Sequence, residues 1–433
     1  MSATSVAAVE APASAAILAT APAAEGSALA DVYALAAEIG PRGTGTEGEA
    51  AAATYVSGRL TAFGLPVSTR AFRAVQSQNV FPLGSDVLAL IAVVVNVVGG
   101  RSGRWVAAAL ALAAGPLLWR AIRLSTNPLR ALLPQVDSGN VVARAAPRAA
   151  VRRRVVILAH LDTNRCRLAW RSGTVRWLEP LTWLTLGMFG VLGLLFSAGA
   201  VFADSDYPQG DYSWLWLLSL VPTAYILGTL VTLIRDDRTP FSPGAHDNAA
   251  SVAVALRVAA GLTELPLQNT EVWLAFTGAE ETDHAGLYAL LHDDPTGLRD
   301  ADFIGLEGLG SGRLTYLTQE GLCQHLGPDP GLLATAARVA AGGPELDAAP
   351  ARMTVEDEVC TLRRLGYRAI CIAGCDPVSG TLPHWHRSDD TADTVSGEFM
   401  ERAALYVRAL LDDLDRAADV PDQSGEGAAC ARL

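Results

Sequence analysis

Lysine is missing altogether: all 33 cationic side chains are arginine, against 45 Asp and Glu, for a formal charge of -12. Phosphate binding needs a basic stripe, and none runs through the globular parts, which argues against a nucleic-acid partner. The arginine-only usage reads as codon bias in a GC-rich genome and points to a bacterial source. Cysteine is sparse too. Cys166, Cys323, Cys360, Cys371, Cys375 and Cys430 are scattered with no C-x-x-C, so they describe neither a zinc ribbon nor a disulfide-stapled secreted scaffold and read as reduced core thiols. Residues 1–26 are rich in Ala, Ser and Pro with no basic residue ahead of their apolar part, which argues against a signal peptide and for a disordered leader.

What the chain does have is grease. Half of its 433 residues are hydrophobic and the mean hydropathy is +0.26, enough for a full α/β core plus membrane segments. Two apolar runs, Val87 to Val98 and Trp105 to Trp119, flank a polar break at Gly99 to Arg104. Each is short against the roughly 20 helical residues that span a bilayer; a transmembrane hairpin is the expectation, with an interfacial pair as the alternative. Leu181 to Phe202 and Trp214 to Ile234 are long enough for a second hairpin, with tryptophan at an edge. Arginine is dense from Arg120 to Arg176 and returns at Arg235 and Arg238, while Asp204, Asp206 and Asp211 sit in the second hairpin's far loop. The positive-inside rule then puts the globular parts in the cytoplasm; Arg101 and Arg104, in the far loop of the first hairpin, run against it.

Around the hairpins, strands and helices alternate. A helix-helix-strand opening leads to strands at Asn140 to Ala145 and Arg154 to Ala159; later strands are expected at Val272 to Phe276, Phe303 to Leu306, Leu314 to Thr318 and Ala369 to Ala373, with a closing amphipathic helix at Phe399 to Leu414. This implies α/β class: a mixed, mostly parallel sheet with helices on both faces. The expected organisation is one α/β domain in three parts, 27–80, 123–178 and 236–417, interrupted by hairpins at 81–122 and 179–235 and followed by a disordered tail, 418–433.

Ionisable residues gather at expected strand ends. His160-x-Asp162, the Gly244–Ser251 turn around Asp247, Glu280-Glu281 and Glu307 each stand at or just past such an end, the edge where open α/β sheets bind ligands. His384-Trp385-His386, followed by Asp389-Asp390-Thr391, lies in the loop after the last strand. Imidazoles and carboxylates without thiolate suit an open hydrolytic zinc site, with a bridging carboxylate holding two ions about 3.5 to 4 Å apart. Of the adjacent Glu280 and Glu281, one binds metal and the other takes the proton of the attacking water.

This constellation resembles peptidase family twenty-eight, the zinc exopeptidases that include aminopeptidases, glutamate carboxypeptidase and glutaminyl cyclase. The match runs in order from about Ala28 to Leu414, minus the hydrophobic insertions. The resemblance implies His160 as a metal ligand oriented by Asp162, Asp247 as the bridging ligand, Glu280 as general base, Glu281 as a ligand, and His386 rather than His384 as the last. Where the family usually has Asp, this chain has Glu307, expected to be a ligand with one more methylene. Asp357 matches a family Asp and is expected to be structural; His246, His284, His292, His325 and His384 are expected to do no chemistry.

The implied function is a membrane-anchored, zinc-dependent aminopeptidase with two ions expected and one possible, acting on peptides near the inner membrane surface. Rival readings are an inactive peptidase-fold scaffold, a carboxypeptidase and a cyclase-like zinc enzyme. The hairpin inserted between Asp162 and Asp247 returns the chain to the same side, so the site can still assemble.

Overall fold

In the computed structural model, residues 27–123, 128–167, 170, 174–203 and 207–419 are described. The expected leader lies outside them, as does the expected tail from residue 420 on; its first two residues, 418 and 419, belong to the closing helix.

Eight strands form one sheet in the order β1-β2-β4-β3-β5-β8-β6-β7. They are β1 (Val67–Ala74), β2 (Val136–Ala145), β3 (Arg153–His160), β4 (Thr270–Thr277), β5 (Asp302–Glu307), β6 (Arg313–Gln319), β7 (Ala349–Arg352) and β8 (Arg368–Cys375). The centre, β4-β3-β5-β8, is parallel, while β1, β2 and β6 join antiparallel. Central strands read as unbroken apolar runs because both faces are covered: in β3, Val155, Ile157 and Ala159 enter one core and Val156 and Leu158 the other. The short β7, a four-residue edge strand containing Pro350, has no sequence signal, since a proline usually argues against a strand.

One face carries α1 (Ala28–Val32, continuing in a wider turn to Ile39), α2 (Glu47–Ala62), α7 (Ser251–Glu264), α9 (Pro330–Gly342) and α11 (Gly397–Asp419); the other carries α8 (Ala285–Asp293) and α10 (Glu358–Arg364). The chain enters the sheet in three stretches, β1, then β2 and β3, then β4 to β8.

The remaining four helices are α3 (Val80–Val98), α4 (Gly100–Ile122), α5 (Leu178–Phe202) and α6 (Ser213–Asp236). All four are long and apolar enough to cross a membrane. The first pair is longer than its apolar runs suggest, because α3 begins before Phe81 and Arg101 to Arg104 belong to α4. Small residues, Ala89, Ala92, Ala107 and Ala111, form its interior, letting the backbones approach closely. Large apolar side chains such as Val94, Val98, Leu194 and Val221 are exposed on the outer faces of these helices. Arg101 and Arg104 are not loop charges. Arg101 Nε donates to the Ala200 carbonyl at 2.9 Å, one of the open carbonyls at the end of α5, and the buried Arg104 guanidinium lies 4.9 Å from the Tyr207 ring.

Candidate metal centre

The parallel strands point their C-terminal ends at one basin. β3 ends in His160 and β5 in Glu307, and their register, Leu158 beside Gly305, sets these last residues side by side. β4 ends at Thr277, opposite His160, and the chain turns there into Glu280-Glu281. Asp247 comes from the turn that precedes α7. Gly244 opens that turn at φ +65°, where a Cβ would stand 2.2 Å from Thr163 Cγ2 and 2.5 Å from the Asp247 carbonyl, so a side chain there is excluded on two counts. The Asp247–Asn248 peptide is cis.

Asp247 is the pivot of the geometry. Its Oδ1 lies 3.2 Å from His160 Nε2 and its Oδ2 3.1 Å from His386 Nε2, so the two oxygens of one carboxylate face two different imidazoles. Glu307 Oε2 is 3.6 Å from His160 Nε2, and Glu281 Oε1 is 3.0 Å from His386 Nε2. His160, Asp247 and Glu307 thus form one group, and Asp247, Glu281 and His386 a second; within each, the ligand atoms lie within 4.8 Å of one another. All five side chains are buried. Glu280 stands beside both groups, Oε2 4.0 Å from His160 Nε2.

The electrostatics call for cations. Burial, then repulsion from Glu281 and Glu307, pushes the Glu280 carboxyl well above its ordinary range. Burial likewise lifts Glu307 to about 7. Burial opposes charge on the two imidazoles, yet the acids around them outweigh it: Glu280 and Glu307 hold His160 well above its usual value, and Glu281 and Asp247 bring His386 to about 9. Asp247, despite burial, is held low by its hydrogen bonds to both. A divalent ion in each group reverses this logic, keeping the carboxylates ionised and the imidazoles neutral. The donor set of two imidazoles and carboxylates, with no thiolate, fits zinc in an open site.

A layer of fixed hydrogen bonds holds these residues. Asp162 meets both the His160 ring and the acidic turn. Its backbone carbonyl, 3.0 Å from His160 Nδ1, orients the imidazole, whereas its carboxylate accepts the N–H groups of Glu280 (3.0 Å) and Glu281 (3.2 Å) and the Thr44 hydroxyl. It fixes the acidic pair, and its Oδ1 also stands 3.7 Å from His160 Nδ1. Asp390 does the same for the pivot, accepting from the backbone N–H of His246 at 2.7 Å and of Asp247 at 3.2 Å. Arg42, between α1 and α2, is fully buried and donates to five carbonyls: Leu161, Leu35, Gly40, Pro243 and Gly244. It clamps the His160 loop to the Gly244 turn across the whole second hairpin insertion. Burial lowers its guanidinium to about 10. No local pattern marks it, because its partners are backbone atoms distant in sequence.

The structure brings His160, Asp247, Glu280, Glu281, Glu307 and His386 together and leaves His384 outside the groups, stacked on His246 at 5.0 Å. His246 sits between Asp390 and Ser311, and Asp357 caps α10 through the Cys360 N–H at 2.9 Å. His292 is exposed, and His325 pairs with Glu179 at the surface. His284 departs from the sequence reading: it is buried with Nε2 3.0 Å from Glu280 Oε1. Burial and Arg364 hold it well below its usual pKa, so it meets Glu280 as a neutral ring.

The basin continues into a cavity of about 670 Å³ whose lining includes His160, Glu280 and His386 at one end and Asp86, Thr185 and Gly228 of the apolar helices at the other.

The profile described as peptidase family M28 matches residues 236–411. No curated protein matches the sequence. Among solved structures, the chain is similar to the zinc aminopeptidase BSAP from Bacillus subtilis, with TM-score 0.51 and 15% identity over 94% of this chain and 96% of that one. It is similar to glutaminyl cyclase from Porphyromonas gingivalis, with TM-score 0.52 and 15% identity over 90% and 97%. A leucine aminopeptidase precursor from Bacteroides thetaiotaomicron gives TM-score 0.51 and 15% identity over 89% and 96%. The fold is therefore that of the zinc exopeptidases and glutaminyl cyclases, and the segment carrying Asp247, Glu280, Glu281, Glu307 and His386 bears the M28 profile.

Proposed function

We propose that this chain is a membrane-anchored, zinc-dependent exopeptidase of the aminopeptidase kind, with its hydrolytic domain on the cytoplasmic face. The observation that carries the hydrolytic reading is the Asp247 carboxylate, each of whose oxygens faces a different imidazole. His160, Asp247 and Glu307 would hold one zinc; Asp247, Glu281 and His386 the other. When bound, the pair supplies Lewis acidity that polarises a carbonyl and acidifies water.

The chain's own residues do the rest. Glu280 takes a proton from the attacking water and passes it to the leaving nitrogen. Its N–H is tied to Asp162, so the carboxylate has a fixed origin from which to swing, and His284 Nε2 stands 3.0 Å from its Oε1. Trp170, Trp385 and Leu382 line the basin, limiting water around the reacting amide. Support for the bilayer comes from the four apolar helices, and support for the cytoplasmic side from Arg120, Arg123, Arg176, Arg235 and Arg238 at the domain ends of those helices. The same placement proposes the tripartite domain boundaries given by the sequence.

The test is Glu280→Gln in detergent-purified protein, assayed on amino-acid arylamides with zinc content measured in parallel. The expected result is a loss of 10²- to 10⁴-fold, the range for a general base, with zinc retained. Undiminished hydrolysis would remove Glu280 from this role.

A further inference from the structure

The cavity that starts at the metal centre does not open only to the domain surface; it runs on between the ends of the four apolar helices. Its deepest wall on α6 is Ala224 and its shallowest Asp236, a climb of about 18 Å at 1.5 Å per residue. On α5 it extends from Leu178 to Thr185, about 10 Å by the same rise. Half of a hydrocarbon core about 30 Å thick is 15 Å, so the cavity reaches through roughly one leaflet. Its volume of about 670 Å³ is that of a site for a sizeable organic ligand.

The walls state what fits. Pro82, Leu118, Ile122, Leu181 and Leu233 are apolar, the hydroxyls among them are already engaged, and Asp86 and Asp236 are the charged groups of these helices on the wall. Thr229 donates to Asp86 Oδ2 at 2.8 Å, Thr185 pairs with the Tyr225 hydroxyl at 3.0 Å, and Thr182 and Thr232 donate to the Leu178 and Gly228 carbonyls of their own helices. An extended peptide threaded here would leave its N–H and C=O groups unmet, at several kcal/mol each in such surroundings. A hydrocarbon chain has no such groups and gains by burial.

We propose that the substrate is a long-chain amide, an N-acylated amino acid or peptide whose amide lies at the metal centre while its acyl chain lies between α3, α4, α5 and α6. The inference rests on the hydrolytic and membrane reading above and names the substrate class for that same site. The reaction is hydrolysis: the oxygen of water bonds to the acyl carbon, the C–N bond breaks, and the proton held by Glu280 goes to the leaving nitrogen. A fatty acid and a free amine result. The helices then deliver a bilayer-dissolved substrate to an otherwise soluble type of active site, which explains why they interrupt the domain beside the metal ligands instead of flanking it.

The test uses the full zinc-loaded chain in detergent or nanodiscs with N-acylglycines from two to sixteen carbons, and amino-acid arylamides alongside. The expected result is a kcat/KM rising by up to about fourfold per methylene, the factor for burying one CH2, until the cavity is filled. Gly228→Phe and Thr182→Phe fill it; Gly228 has nothing within 4 Å of an added Cβ, so the helix tolerates the ring. Both variants are expected to move the preferred chain to shorter lengths. Quenching of tryptophan by a brominated acylglycine, with Trp170 and Trp385 lining the cavity, reports chain binding without turnover and is expected to weaken in both. Equal rates across the series, or an unchanged profile in both variants, would overturn the proposal while arylamide hydrolysis keeps the peptidase reading. Quenching without any hydrolysis would keep the chain site and overturn the hydrolase. A preference for hydrophobic N-terminal peptides over every acylglycine would replace the acyl chain by a peptide.

Discussion

Asp162 accepts both backbone N–H groups of the Glu280-Glu281 pair, and only a carboxylate offers two accepting oxygens at that spacing. Asp162→Asn turns one acceptor into an NH2 that faces an N–H. The expected outcome is a 10- to 100-fold loss of zinc affinity or activity, the usual scale for a residue that supports a metal ligand, read by chelator competition. Glu358 offers a pH test on a buried acid that is not itself a ligand. Burial raises its carboxyl from 4.5 to about 8; His160 opposes, repulsion from Glu307 adds, and the Thr277 hydroxyl at 3.1 Å opposes. Between those two values the folded chain keeps a proton that the unfolded chain has released, so stability is greatest below 4.5 and declines as pH climbs toward about 8. Glu358→Gln removes this slope. In thermal melts it should gain on the native protein steadily from pH 5 to pH 8; parallel curves would refute the assignment.

At the scale of elements, the sheet edge is what makes a site from scattered residues. β5 and β8 lie in register with Glu307 beside Ala373, and just beyond, Gly374 is hemmed in by backbone. A Cβ there would stand 2.3 Å from the Gly308 carbonyl oxygen and 2.7 Å from that of Ser311. Neither can yield without moving the strand end that carries Glu307. Gly374→Ala is therefore expected to destabilise the fold by roughly 1–3 kcal/mol, the cost of overpacking, and to reduce zinc uptake with it. Circular dichroism melts and metal content on one preparation check both. The hairpins obey a different rule, tight alanine packing within and exposed aliphatic side chains without, the close backbone approach that small residues allow between helices.

For the whole molecule, acids buried around two neighbouring imidazoles make stability depend on what binds between them. A ligand held only by the native state at a thousand times its Kd adds about 4 kcal/mol, so stripping zinc is expected to lower the melting temperature by several degrees, and adding it back to restore it. Two zinc ions per chain are expected by elemental analysis. Glu307→Ala, which removes a carboxylate from the His160 group alone, should reduce the count to one and leave the ion at Asp247, Glu281 and His386. A native count of one would mean that the extra methylene of Glu307 misplaces its oxygen.

The sequence by itself determined the class of the sheet, the four apolar helices and most strand limits, because alternating apolar runs and their turn residues are local signals. It also singled out the acids and imidazoles gathered at the centre, His160, Glu280, Glu281 and Glu307 at or just past expected strand ends and Asp247 and His386 in a turn and a loop. Only the tertiary structure decided that Asp162 grips the acidic turn, that Arg42 clamps two loops through five carbonyls, that His284 abuts Glu280, and that Arg101 and Arg104 sit within a helix. The first two are contacts with backbone atoms or between residues far apart in the chain, and the last two depend on how a turn and a helix end are placed, none of which leaves a periodicity to read. The cavity that joins the metal centre to the helix bundle is of the same kind. It is a property of how the parts meet, and no stretch of sequence contains it.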